Sequence, residues 1–363
     1  MNNKAFFIVL LLLGACAAKT GNVVLNTTQI GPDENVNLLQ VDPNTVQDKQ
    51  LEYENKLKAT GTITNKRALY EEYINLIGAN GILDGIEKVY NGCHSQAHDA
   101  GKVIFAKVKD VSASLRICGD SCNTGCMHGV LMEAFKTAKV NDDEDHIDID
   151  KLKPMLNEIC VNNKEMQASY GPGECAHGVG HALMFLSGYN IQNALSACAN
   201  FDNKKLEYYC ADGGYMEYDV VRESTDKDKS EFYPCDTFDY PAACMRTKVG
   251  LVGKKLDKVG LDLVAECEKL QGKVRLGCFH GIGTAHAKIF VLGKLHIKDV
   301  CGQGTADEQT ACIEGAGEFI GKYFENSVAK VCGELEDIQK EICLAAGKHK
   351  LYSSDKDLSL YLN

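Results

Sequence analysis

The chain comprises 363 residues, 45% hydrophobic and 25% charged, which is enough apolar material for a substantial core and unlike a disordered or collagen-like composition. Its formal net charge of −11 argues against a nucleic-acid-binding surface, since phosphate contacts need clustered positive charge. Acidity of this size otherwise reports solubility.

At the N-terminus a short, weakly basic start, Met1 to Lys4, precedes an apolar run, Ala5 to Leu13, too short to span a bilayer as a mature helix. Leu13-Gly14-Ala15-Cys16 closes it, and the small residues before the cysteine resemble the lipobox of a bacterial lipoprotein signal. The resemblance implies loss of residues 1–15 as a signal peptide and a lipid on Cys16 that anchors an exported protein to a membrane of the cell envelope. Residues 16–50 are polar, with little periodicity, and read as a flexible tether. Helical pattern begins at Leu51 and strengthens after Asn65, a candidate N-cap. There Ala68, Leu69, Tyr73, Ile74 and Ile77 recur at helical spacing, until Gly78 and Gly81 break it. The expected helical-repeat domain runs over 51–352, followed by a C-terminal tail, 353–363.

Within that domain one short pattern returns: Cys126-Met-His128-Gly129, Cys175-Ala-His177-Gly178, Cys210-Ala-Asp212-Gly213, Cys278-Phe-His280-Gly281 and Cys312-Ile-Glu314-Gly315. Looser versions lie at Cys93, Cys244 and Cys343, and these anchors recur every 31 to 35 residues apart from one gap of 49. A period near 34 is the signature of a repeat architecture. Ile191 to Cys198 and Leu261 to Leu270 have the apolar spacing of a first helix, and His177 to Leu186 and Gly315 to Phe324 that of a second. The fold class expected is therefore all-α, an α-solenoid of seven or eight helical-hairpin repeats. Tetratricopeptide repeats share the period but not the aromatic and proline signature. The body resembles cysteine-rich bacterial helical-repeat proteins with a disulfide in every hairpin.

Cysteine arithmetic points the same way. Of 17 cysteines, assigning Cys16 to lipid leaves an even number in an apparently exported chain. Cys160, Cys198, Cys235, Cys267, Cys301 and Cys332 precede Cys175, Cys210, Cys244, Cys278, Cys312 and Cys343 by 15, 12, 9, 11, 11 and 11 residues, one expected staple per repeat. Among Cys93, Cys118, Cys122 and Cys126 three pairings are open, and analogy with the other units favours Cys118 with Cys126 and Cys93 with Cys122.

The chemistry lies two residues after each anchor, at His128, His177, Asp212, His280 and Glu314, all side chains that ligate metals or move protons. Stacked repeats align such positions on one face. A second layer follows at helical spacing: His181 and Glu318 stand four residues beyond His177 and Glu314, and His94 with His98 repeats that spacing. Glu133, Glu217 and His286 fit the spacing less well, and Arg246 interrupts the series as a cation suited to an anion. Histidines beside carboxylates suit zinc, iron, manganese or copper. A polar residue that caps a helix or bonds a neighbouring repeat is the structural alternative at each position. The glycines after the anchor read as close helix packing, not as a phosphate loop, because no strand precedes them.

Asp142 to Asp150 is acidic but lacks the glycine of an EF-hand loop, and reads as a solvated insertion in the long unit. No serine elbow, phosphate loop or haem-attachment motif is present. Two functions remain: an envelope metalloprotein, either a binding module or a metal-dependent enzyme, with His128, His177, His181, His280 and Glu314 converging; or a repeat scaffold whose concave face binds a protein or peptide.

Overall fold

The protein is described by a computed structural model over residues 43–61, 66–90, 92–143, 146–222, 229–349 and 351–362. The expected signal, Cys16, the tether as far as residue 42 and Asn65 lie outside the described residues. Two compact units divide at Val130 and Leu131. The first contains α1 (Pro43–Thr60), α2 (Arg67–Val89), α3 (His94–Val108), α4 (Val111–Cys118) and the opening of α5 (Gly125–Thr137), inside which the division falls. Among the described residues helix is already present at Pro43, ahead of Leu51. The break expected after Ile77 is a kink: Gly78 takes a φ of 72°, open to a residue without a Cβ, and the helix resumes.

The second unit opens with a small antiparallel hairpin, β1 (Asn141–Asp143) with β2 (His146–Ile147), which occupies the acidic insertion. The rest is helical: α6 (Ile149–Leu156), a π-helical turn over Asn157–Asn162, α7 (Lys164–Ser169), α8 (Pro172–Leu186), α9 (Ile191–Cys198), α10 (Lys204–Arg222) and α11 (Pro241–Leu256). Then come α12 (Leu261–Cys267), α13 (Gly272–Val291), α14 (Ile297–Cys301), α15 (Ala306–Tyr323), a 3-10 turn over Glu325–Ser327, α16 (Val328–Cys332) and α17 (Asp337–Ala346). No described helix is long and apolar enough to cross a membrane.

Local signals set many of the helix starts. Asp110, Asp148, Asn163 and Asn190 cap α4, α6, α7 and α9 by accepting from a backbone N–H inside the first turn. Thr305 and Glu308 form a reciprocal capping box on α15, and Pro172 begins α8. Most short helices end in a cysteine that bridges to the next long helix. The bridges are Cys118–Cys126, Cys160–Cys175, Cys198–Cys210, Cys235–Cys244, Cys267–Cys278, Cys301–Cys312 and Cys332–Cys343, with Cys93–Cys122 the eighth. Their Cα–Cα separations, 5.2 to 5.6 Å, are ordinary for disulfides. Cys126 and Cys175 lie in the first turns of α5 and α8, whereas α10, α13 and α15 each begin six residues upstream of their anchor cysteine.

The long helices meet backbone to backbone. A Cβ on Gly101 would fall on the Cys126 carbonyl and one on Gly129 on the His98 carbonyl. The same reciprocal crossing joins α8 to α10 through Gly180 and Gly213, against the Cys210 and His177 carbonyls. It joins α13 to α15 through Gly283 and Gly315, against the Cys312 and His280 carbonyls. Each crossing uses the glycine that follows the metal-capable position and another three residues beyond its partner histidine.

Two predictions follow from the staples and the crossings. Non-reducing peptide mapping should recover Cys198–Cys210, Cys267–Cys278, Cys301–Cys312 and Cys332–Cys343, and replacing Cys301 and Cys312 together by Ala should remove about 2–4 kcal/mol of stability; free thiols at these positions in protein from an oxidising compartment would sink the stapled arrangement. Gly213→Ala should destabilise by about 1–3 kcal/mol or more, because a carbonyl occupies the methyl's place. Gly214→Ala is the control: its nearest neighbour is 3.7 Å away. There the better helix former should be neutral or stabilising by about 0.5–1 kcal/mol in denaturant titration.

Candidate functional site

In the first unit, the crossing of α3 with α5 sets three imidazoles together. His94 and His98 stand one turn apart on α3, and His128 comes from α5. Ring centroids lie 4.9 Å apart for His94–His98 and His94–His128, and 5.5 Å for His98–His128. His98 and His128 are buried. His94 Nδ1 is 3.0 Å from the Asn123 carbonyl and 3.3 Å from that of Cys122. A carbonyl only accepts, so Nδ1 carries the proton and Nε2 presents a lone pair.

In the second unit, His177 and His181 stand one turn apart on α8, both buried, with their Nε2 atoms 3.2 Å apart. Each imidazole has a carboxylate behind it. Glu217 Oε2, on α10, lies 2.9 Å from His181 Nδ1, and its other oxygen accepts from the Tyr189 hydroxyl at 3.4 Å. Asp212 Oδ2 lies 3.0 Å from His177 Nδ1, an ion-pair distance whose alignment falls short of a hydrogen bond. Burial alone would raise the Asp212 carboxyl, but His177 and Arg246 outweigh it and hold it below its ordinary value. Burial lowers His181, with Glu217 resisting. Each Nδ1 thus faces a carboxylate oxygen, and the two Nε2 atoms approach one another at 3.2 Å.

From Asp212 a buried polar chain continues. Arg246 Nε is 3.5 Å from Asp212, and its Nη2 donates to Glu318 Oε2 at 3.0 Å. Glu318 also contacts Lys356, and His280 Nε2 lies 3.6 Å from it. Burial first, then Arg246 and Lys356, drive His280 well below the ordinary histidine value, so it is neutral. Glu314 accepts from the Tyr361 hydroxyl, and the Tyr361 ring stands edge-on to His280 at 5.4 Å. The ring of Tyr352 stacks on His177 at 4.1 Å.

His177, Asp212, Arg246, His280 and Glu314 therefore share one connected interior in this unit, as stacked repeats imply, but they do different work. His177 and His181 converge. Asp212 stands behind an imidazole, Glu318 is engaged by two cations, and Glu314 by a tyrosine. Arg246 is a structural cation between two carboxylates. Glu217, a poor fit by spacing, is the partner of His181. His286 is structural: its Nδ1 faces the Ile282 carbonyl at 2.9 Å and its Nε2 accepts from Gly260 N at 2.8 Å. Tyr352, Lys356 and Tyr361 had no sequence signal, since they belong to no repeat.

Removing Arg246 should strand two buried carboxylates. Arg246→Leu should lower stability by about 3–5 kcal/mol, and the deficit should shrink as pH falls, because protonating Asp212 or Glu318 removes the uncompensated charge. Equal unfolding midpoints for the two proteins at neutral pH would contradict this assignment.

Comparison of the chain with family models, curated proteins and solved structures finds no match, so its function must be argued from its own residues.

Proposed function

We propose that the chain is an exported, lipid-anchored α-solenoid that binds a transition-metal ion through imidazoles. The observation that carries this reading is the His177–His181 pair. Two Zn–N bonds of about 2.0–2.1 Å meeting at a tetrahedral angle set their nitrogens about 3.3 Å apart, and the two Nε2 atoms are 3.2 Å apart. With each Nδ1–H turned to its carboxylate, both Nε2 atoms are available to one ion at this separation. A metal ion satisfies both lone pairs, and a carboxylate behind each ring is the usual outer support of a metal-bound histidine.

In the first unit His94, His98 and His128 gather further imidazoles, the donor type that holds catalytic zinc. Zinc, iron, manganese and copper all suit such donors, and metal-assisted hydrolysis is the activity to assay first. Eight disulfides fit an oxidising, extracytoplasmic compartment. The lipid anchor rests on the sequence around Cys16. The alternation of short and long stapled helices, with the same crossing at three places, supports the solenoid with its period near 34.

Elemental analysis of the purified protein tests the reading. Replacing His177 and His181 together by Ala should release metal while helical circular dichroism persists, because no staple and little apolar surface is lost. Glu217→Gln should weaken affinity by about 10–100-fold. A purified protein without metal that takes up none of the four ions on titration would overturn the proposal.

A further inference from the structure

The last described stretch, residues 351–362, forms only turns, yet it is not a loose tail. Leu358, Tyr361 and Lys356 are 0%, 3% and 6% exposed. A segment buried without helix or strand must satisfy its backbone through side chains of its surroundings. Tyr209 donates to the Ser353 carbonyl at 2.9 Å, Lys205 to that of Ser354 at 3.2 Å, and Lys273 to that of Leu360 at 2.8 Å. These donors stand on α10 and α13 and make no use of the segment's side-chain identity.

Its side chains are read separately, at three points. Tyr352 stacks on His177, with the Arg246 guanidinium 5.7 Å from the ring centre. Lys356 pairs with the buried carboxylate of Glu318, and the Tyr361 hydroxyl donates to Glu314. Side chains that grip main-chain carbonyls, with separate sites for spaced side chains, are how a protein holds a peptide. The groove also exceeds its occupant: beside Lys356 and Asp357 a cavity of about 200 Å³ remains, lined by Glu314, Glu318, Ile342 and His349 among others.

We propose that this face of the second unit is a peptide-binding groove, occupied in cis by the C-terminal segment Tyr352–Tyr361. Its ligand class is a peptide that takes these turns and carries Tyr-x3-Lys-x4-Tyr, with the central lysine met by Glu318. The segment is then a detachable strap whose place a peptide of that class takes only once the strap is cut loose. The first tyrosine site touches the metal reading through His177, whereas the lysine and second tyrosine sites lie on α15 and do not need it.

The experiment uses the full chain with a specific protease site placed at 348–351, so that folding precedes cutting. After cleavage, a fluorescent synthetic peptide of residues 351–363 should exchange into the groove with saturable anisotropy, while uncut protein takes up none. A Lys356→Met peptide should bind more than about thirtyfold more weakly, because it leaves Glu318 without its lysine partner. A cut protein that keeps its helical signal yet never exchanges would show the segment to be a fixed part of the core, and equal affinity of the Lys356→Met peptide would show the lysine site to be wrong; either overturns the proposal. Uptake of the peptide by uncut protein would place binding elsewhere and also overturn it. Repeating the exchange after chelation separates this result from the metal proposal, since the ratio of affinities of the native and Lys356→Met peptides, set on α15, should be unchanged whether or not an ion is lost.

Discussion

The contact on which the rest of the structure depends is the crossing of long helices at glycine, where the backbone of one helix rests on a carbonyl of the next. Ordinary side chains hold helix axes about 8–10 Å apart, and only small residues at the crossing let backbones touch. Such contact draws together whatever stands beside it. In all three crossings those neighbours are His98 with His128, His177 with Asp212, and His280 with Glu314, pairs that are geometrically equivalent although their chemistry differs. A histidine pair, a histidine–aspartate pair and a histidine–glutamate pair are thus three uses of one packing device.

Helix geometry explains why staple, polar residue and glycine occur together. Successive residues turn by about 100°, so a residue two places on points about 200° away. A cysteine that faces the short helix on one side necessarily sends the residue two beyond it to the opposite side, where it meets the equivalents from other long helices. The disulfide therefore orients the polar interior as well as restraining the chain.

That coupling is why much of the arrangement could be read in the sequence. Regular cysteine gaps reveal local staples, and the residue after next from each anchor is placed by them. What could not be read has equally physical causes. Glycine is a poor helix residue, so the repeated element looks like a helix start; that holds at Cys126 and Cys175, whereas the elements at Cys210, Cys278 and Cys312 lie well inside α10, α13 and α15. The link of Glu217 to His181 is made across two helices and leaves no periodic trace. Tyr352, Lys356 and Tyr361 act from a stretch without periodicity, where a polar sequence reads as a tail.

The order of the disulfides has a consequence for how the chain acquires them. From Cys160 onward every cysteine joins its next neighbour in sequence. A chain oxidised from its N-terminus, residue by residue as it meets an oxidant, would form these bridges correctly without choosing. Among the described residues the four cysteines before Cys160 are different, because Cys93–Cys122 interleaves with Cys118–Cys126. Neighbour-first oxidation there joins Cys93 to Cys118, a bridge that must be undone by thiol exchange before the native pair can close. Dependence on a disulfide isomerase is thereby confined to the segment that holds His94, His98 and His128, and the remaining staples mature without one.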